Sequence, residues 1–415
     1  MKTLKFFTKH PYFFSFGMLQ IFFSAPGQTF LVALFVKPIF DDLGVSQSLF
    51  AGVYSAATLA AALLLNPAGR LIDKYSTQRI LKWITSLFCI GCLVLANTHN
   101  LTTLFIGFFL LRLIGQGVFG LTASTLLIKK FSLNRGKAMG LITLGFPLSE
   151  VIYPFVALWL LNQCGWRASY VIFGLITIAV MLPLQLFFIK RSGLVQGQFL
   201  PGELDVTSEH PRGNPEMRKR ENVHSCKANE VLRDLKFYLI LLCSCLPPMI
   251  VTGLFFHQET LFNHHGWAIK FAATGLAMYA LCKAFGSIWI GSIVDKHGPL
   301  STFIVLILML ALGTYLAGLG GSVYVIFLYF SIIGGALGFS SPVMNVVWPH
   351  FYGIDHMGSI KGLISTFRNG VTAFGPLPIA ILIDQGVSIG AIFKWTSLGL
   401  FVLAFLPLII YKLDH

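Results

Sequence analysis

The sequence predicts an all-α membrane protein, with about twelve transmembrane helices arranged as two pseudo-symmetric six-helix bundles. Three observations carry that expectation. The 415 residues are 55% hydrophobic and only 11% charged, whereas a soluble domain carries about 25% charged residues. The apolar runs are of helix length and lack the alternating polar period of barrel strands. A short pattern built on glycine and aspartate occurs twice, at matching places in the two halves.

Crossing the hydrocarbon takes about 20 apolar residues, and each span must satisfy its own backbone hydrogen bonds. On that basis spans are expected at 12–38, 48–70, 78–97, 102–127, 136–162 and 168–189, then at 236–258, 268–292, 300–319, 323–348, 359–383 and 388–411. The first run follows Lys2, Lys5 and Lys9. It is too long for a signal peptide and lacks a small-x-small cleavage site, so a retained span is expected. Between the two sets lies a polar stretch with Arg212, Arg218, Lys219, Arg220, Lys227 and Arg233 among Pro, Gly, Glu and Asn, which reads as a linker. The expected division is an N-terminal bundle over 1–190, a cytoplasmic central loop over 191–234 and a C-terminal bundle over 235–415.

Charge placement gives an orientation. The formal net charge is +14. Lys and Arg gather at the amino terminus, around Arg70, Lys74, Arg79 and Lys82, around Lys129, Lys130, Arg135 and Lys137, and in the central loop. The opposite side holds few, namely Lys37, Arg167, Lys270 and Lys394. The positive-inside rule then makes both termini and the central loop cytoplasmic. Short loops and this basic design fit a multi-pass protein of a bacterial cytoplasmic (inner) membrane. The positive charge belongs to topology, so no nucleic-acid partner is expected; the partners are the lipid bilayer and a small-molecule substrate, and the chain is expected to act as a monomer.

The seven cysteines sit mostly inside apolar runs. Cys89 and Cys92, and Cys243 and Cys245, have suggestive spacings but no neighbouring histidine pair, so they read as small buried hydrophobes rather than as redox or metal sites. His257, His264 and His265 around Glu259 show no diagnostic ligand spacing and read as solvated loop histidines. No G-x-x-x-x-G-K-[ST] phosphate loop occurs. No cofactor and no metal are expected, and the chain is not expected to be an enzyme.

The repeated pattern is Gly69-Arg70-Leu71-Ile72-Asp73-Lys74, followed by Arg79, and Gly291-Ser292-Ile293-Val294-Asp295-Lys296. Each copy stands at the cytoplasmic end of the second helix of a six-helix set. Internal repeats of this kind mark secondary transporters. The pattern resembles the loop signature of the major facilitator superfamily. Further similar pieces are Arg112-Leu113-Ile114-Gly115-Gln116-Gly117 in the fourth span, Arg135-Gly136-Lys137 after it, and Gly165-Trp166-Arg167 at the start of the sixth. Within the superfamily, the fourth-span piece, Tyr352-Gly353 with His356 to Ile360, and Gly375-Pro376 look most like the monocarboxylate and oxalate–formate exchanger branch. Two departures stand out. Ser76-Thr77-Gln78 replaces the usual glycine and second basic residue, and the antiporter glycine pattern is incomplete around Gly145-Phe146-Pro147.

The resemblance implies a cytoplasmic gate made of Gly69, Asp73, Arg79, Arg135, Gly291 and Asp295. A glycine lets a neighbouring helix come close. Asp73 can accept hydrogen bonds from a cation or a helix amino terminus, with Arg135 and the start of the eleventh span the partners that the family resemblance implies. A topogenic loop whose charges only fix orientation is the alternative.

Four ionisable residues fall deep within spans: Arg112, Glu150, Lys283 and Arg368. Such residues cost about 2.5–3.5 kcal/mol each on insertion scales, so they face a partner or a watery cavity. The family resemblance would bring Glu150 within reach of Lys283, as a pair exchanged during the cycle or as a permanent structural tie. The surplus of positive charge would suit an anion, and Arg is fitted to bidentate carboxylate binding. The exchanger branch is similar in placing cations on its eighth and eleventh spans, which fits Lys283 and Arg368. Arg112 either contacts solute or caps helix carbonyls. Proton coupling through Glu150 stays open, because burial and a neighbouring cation push a carboxylate in opposite directions.

The expected function is secondary active transport of a small organic solute, an organic anion such as a carboxylate, by alternating access. The alternative keeps the fold and changes the cargo to other metabolites, amino acids, siderophores or drugs. A polytopic enzyme or a sensor is the third reading; the only candidate catalytic cluster is the histidine group around Glu259, and no output domain is visible in the sequence.

Overall fold

The computed structural model describes residues 8, 10–130, 135–192, 228–353 and 357–414. Most of the central loop, the first lysines and His356 therefore lie outside the described residues. All the regular elements among the described residues are helical. Internal contacts divide the chain into two compact units, Met1–Ser208 and Glu209–His415.

The N-terminal unit begins with a first span that is not one helix. α1 (Pro11–Phe22) gives way to a 3-10 turn (Ala25–Gly27), then α2 (Thr29–Val32) and α3 (Val36–Leu43). Pro26 has no N–H to donate, and Gln28 adopts an extended backbone (φ −88°, ψ 146°), so the helix breaks there. A 62° bend then separates Pro11–Val32 from Val36–Leu43. Gly44, at φ 62°, ends α3 in the left-handed conformation that glycine adopts without strain.

α4 (Gln47–Lys74) starts at Ser46, whose hydroxyl accepts from the N–H of Leu49 at 3.2 Å. α5 (Thr77–Ala96) and α6 (Leu101–Leu111) follow, the latter opened by a reciprocal capping box of Asn100 and Thr103. The fourth span then widens into a π-helix over Arg112–Val118 before α7 (Phe119–Lys130). After α8 (Arg135–Thr143), the helical run α9 (Gly145–Ile176) is interrupted at Gly165, where φ is 75°. A second π-turn (Thr177–Met181) leads into α10 (Leu182–Arg191). The continuous apolar stretch Ala138–Arg191 is 54 residues long, enough for two crossings at about 20 residues each, and Gly165 is where the chain turns back.

The C-terminal unit opens with the short α11 (Ala228–Val231) and with α12 (Leu235–Phe256), whose N-cap Asp234 accepts from the N–H of Lys236 at 2.9 Å. Then come α13 (Gln258–His265), α14 (Lys270–His297), α15 (Pro299–Leu319), α16 (Tyr324–Tyr352), α17 (Met357–Val371), a 3-10 turn (Thr372–Phe374), α18 (Pro376–Asp384), α19 (Ile389–Leu403) and α20 (Leu406–Asp414). Eight helices among the described residues are long and apolar enough to cross a membrane, nine with the bent first pair. The 54-residue stretch is one of these although it doubles back. α14, which carries charged residues, and the interrupted α17–α18 pair supply the other two expected crossings.

The two units pair their helices alike. In the first, α4 packs on α6 and the π-turn, α5 on α6 and α9, and α1 on α9 and α10. In the second, α14 packs on α16, α15 on α16 and α19, and α12 on α17, α18 and α20. That is the repeat expected from the duplicated motif, now visible as a repeated packing pattern. Glycines permit the closest approaches. A Cβ at Gly334 or Gly338 of α16 would overlap the carbonyl oxygens of Tyr279 and Lys283 on α14.

Candidate functional site

Arg112 sits at the first residue of the π-turn and is 1% exposed. Its Nε donates to Thr58 Oγ1 on α4 at 3.1 Å. Its Nη1 donates to the carbonyl of Gly27 and to Thr29 Oγ1, both at 3.1 Å. The guanidinium lies 5.1 Å from the centre of the Tyr54 ring, whose hydroxyl is 3.1 Å from Thr29 Oγ1. One cation thus gathers the broken first span, α4 and the widened fourth span. The neighbouring glycine makes room: Gly115 meets Gly27 so closely that a Cβ there would fall 3.0 Å from Gly27 Cα.

A second buried polar knot ties α1, α5 and α10. Gln20 donates to Gln185, and Gln185 donates to Thr85 Oγ1 at 2.6 Å. The sequence gives Gln20 as a polar residue in an apolar run. Nothing in it marks Gln185 or Thr85 as partners, because they lie 165 and 65 positions away. Glu150, on α9, is 5% exposed and stands beside the buried Ser149.

In the C-terminal unit Arg368 lies on α17, which packs on α12. Its Nε is buried with no hydrogen-bond partner among the described residues, and it is close enough to Cys245 of α12 for the two to interact electrostatically. Lys283, on α14, places its Nζ 5.3 Å from the centre of the Tyr279 ring, one helical turn earlier. Glu150 belongs to the first unit and Lys283 to the second.

The duplicated motif proves to be helical. Gly69 to Lys74 form the last turns of α4, and Gly291 to Lys296 those of α14, so both helices run past the expected span ends at 70 and 292. A Cβ on Gly69 would lie 3.5 Å from the Leu121 side chain, an ordinary contact, so this arrangement does not demand glycine there. Arg79 is exposed and stands 5.9 Å from the Tyr75 ring centre, with Lys74 5.8 Å from the same ring. Arg135 begins α8. The side chains of Asp73, Arg135 and Asp295, and the surroundings of Gly291, lie outside the described residues.

Of the histidines read as solvated loop residues, His257 is the turn residue between α12 and α13 but is not solvated, whereas His264 is exposed but helical. His257 is buried, with Nε2 2.9 Å from the carbonyl of Pro376. His264 and His265 end α13. No cluster of three potential metal ligands occurs among the described residues.

A family model described as Major Facilitator Superfamily matches residues 17–376. The chain belongs to the major facilitator superfamily. Solved structures support the fold. A POT family transporter in complex with a thioalcohol-conjugated peptide superposes with a TM-score of 0.72 at 15% identity, covering 96% of each chain. The nucleoside transporter NupG gives 0.71 at 13% identity, covering 97% of this chain and 99% of its own. Among curated proteins, a gallate transporter of Pseudomonas putida is 24% identical over 284 residues, 64% of this chain and 62% of its own. A multidrug resistance protein B homolog of Mycobacterium tuberculosis (strain ATCC 25618 / H37Rv) is 24% identical over 143 residues, 34% of this chain and 26% of its own. The matched stretches thus span less than two thirds of these relatives. Superfamily membership makes the chain a multi-pass membrane protein of a transporter superfamily.

Proposed function

We propose that this superfamily member is a secondary active transporter of a small organic anion, a carboxylate, working by alternating access. The observation that carries the reading is Arg368. A guanidinium nitrogen buried without a partner costs about 1–3 kcal/mol or more, and a carboxylate of the solute relieves that cost through a charge-assisted bond. Lys283 adds a second cation in the same unit, held beside an aromatic ring. The gallate transporter is named for an aromatic carboxylate, a solute whose charge a buried cation would suit. Arg112, by contrast, has its donors engaged by Thr58, Gly27 and Thr29, and we assign it to the architecture of the first span.

The finer resemblance, to the monocarboxylate and oxalate–formate exchanger branch, belongs to the same proposal. So do proton coupling through Glu150, the gate at Gly69, Asp73, Arg79, Arg135, Gly291 and Asp295, monomeric function, and a bacterial cytoplasmic membrane with both termini inside. The match to a multidrug resistance homolog favours a second reading, export of larger organic molecules. A thermal-shift screen of the purified protein separates them. The anion reading requires that carboxylates, gallate included, raise the unfolding temperature while their amides or esters do not. Stabilisation by neutral or cationic drugs alone gives the second reading.

A further inference from the structure

The two histidines that close α13 are each seated on a glycine of another element. A Cβ at Gly320 would overlap Nδ1 of His265, and one at Gly390, in α19, would lie 3.2 Å from Nε2 of His264. Gly320 has φ 74°, a conformation that favours glycine. Around this seat Nε2 of His265 stands 3.0 Å from the carbonyl oxygen of Ala317, and Trp267 Nε1 donates to the carbonyl of Gly321 at 2.9 Å. The rings of His264 and His265 are 4.9 Å apart, and that of His265 lies 4.7 Å from Trp267. Residues 264–267 are thereby held onto the α15–α16 turn and onto α19.

The hydrogen bond fixes the tautomer. A carbonyl only accepts, so Nε2 of His265 carries the proton and Nδ1 is bare. Nδ1 faces Gly320, whose Cα offers no acceptor. A second proton, on Nδ1, meets no hydrogen-bond acceptor among the described residues and stands next to positive neighbours. The groups that face the ring are His264 from α13 and Lys394 from α19. The turn Ala317–Val323 contributes no charged side chain, α12 ends without one, and the acid on α13 is Glu259, at its opposite end.

We propose that the His264–His265 seat is a proton-released latch, which holds α13, and with it the end of α12 remote from the central loop, against α15 and α19 while His265 is neutral. Burial lowers the affinity of His265 for a proton below its usual 6.5; the hydrogen bond to Ala317 opposes this, and the charges of His264 and Lys394 add to it. Its affinity in the docked state is thus lower than in the undocked state. Docking is fully stabilised above the undocked value, near 6.5, and weakens as pH falls below it. The latch lies apart from Arg368 and Lys283, and it would make the position of this helix end respond to acid on its side of the membrane whatever solute is carried.

Hydrogen exchange of the full chain in lipid nanodiscs tests the latch. Protection of the 258–266 amides, corrected for intrinsic rate, should fall at least about threefold between about pH 7.5 and about pH 5. His265→Gln can still donate to Ala317 and cannot titrate, so its protection should stay level across that range. Gly320→Ala obstructs the seat and should lower protection at both pH values. The latch is overturned if wild-type protection is level with pH, if His265→Gln keeps the acid loss, or if Gly320→Ala is protected like wild type at neutral pH.

Discussion

Arg112 donates to the backbone carbonyl of Gly27 at 3.1 Å, at the point where the first span breaks. With Gln28 extended, the N–H of Leu31 bonds to the Gln28 carbonyl and leaves that of Gly27 to Arg112, and a broken helix at membrane depth is tolerated only when neighbours satisfy it. The π-turn at Arg112–Val118 and the break at Ala25–Gly27 are therefore one construction, joined by a cation.

This arrangement predicts that Arg112→Gln costs stability first. A hydrogen bond to a charged group contributes about 1.5–3 kcal/mol, and three are lost or weakened. Thermal unfolding in detergent should move down by several degrees for Arg112→Gln, with transport falling in proportion to folded protein. A variant of unchanged stability that has lost solute affinity would instead make Arg112 a solute ligand.

Arg368 should behave in the opposite way. Its buried Nε has no partner among the described residues, so Arg368→Gln removes an unmet donor and should leave stability equal or slightly higher. The same variant should lose the stabilisation that carboxylates give the wild type. Retained carboxylate stabilisation in Arg368→Gln would remove the basis of the anion reading.

The seam of α12 with the turn before α18 is set by glycine. A Cβ on Gly253 would stand 2.8 Å from the carbonyl oxygen of Gly375. Gly253→Val should cost about 1–3 kcal/mol through overpacking, read as a lower unfolding temperature. Gly69→Ala, whose Cβ would meet Leu121 at an ordinary 3.5 Å, should leave that temperature unchanged. Equal effects at the two sites would contradict this packing.

How much of this was legible in the sequence follows from the kind of signal each feature leaves. Apolar runs of membrane length are local, so most helices could be placed, and the two copies of Gly-x-x-x-Asp-Lys announced the repeat that the packing pattern shows. The first span was expected as one helix over 12–38. Pro26-Gly27 signals a break, but only the partners Arg112 and Thr58 say that the break is held. The π-turns were not expected, since hydropathy does not register one added residue per turn. Gln185 reaches Gln20 and Thr85 across long sequence separations, and His257 reads as a solvated histidine until Pro376 is folded against it. Among the candidate site residues, the sequence picked out Arg112 and Arg368 by charge at depth alone. It could not tell that one has partners and the other a bare donor.

For the gate, Asp73→Asn removes the charge at the end of α4 without altering side-chain size. Solute flux in vesicles should drop while the amount of inserted, monodisperse protein stays the same. Normal flux from a correctly inserted Asp73→Asn protein would leave the motif a purely topogenic role.

The decisive measurement is uptake of a radiolabelled carboxylate into proteoliposomes of the purified wild-type chain, with Arg368→Gln alongside. Saturable uptake that unlabelled carboxylates suppress, and that Arg368→Gln abolishes at normal insertion, is the expected result. Carboxylate flux no greater than in protein-free liposomes, with a neutral or cationic compound carried instead, would contradict it.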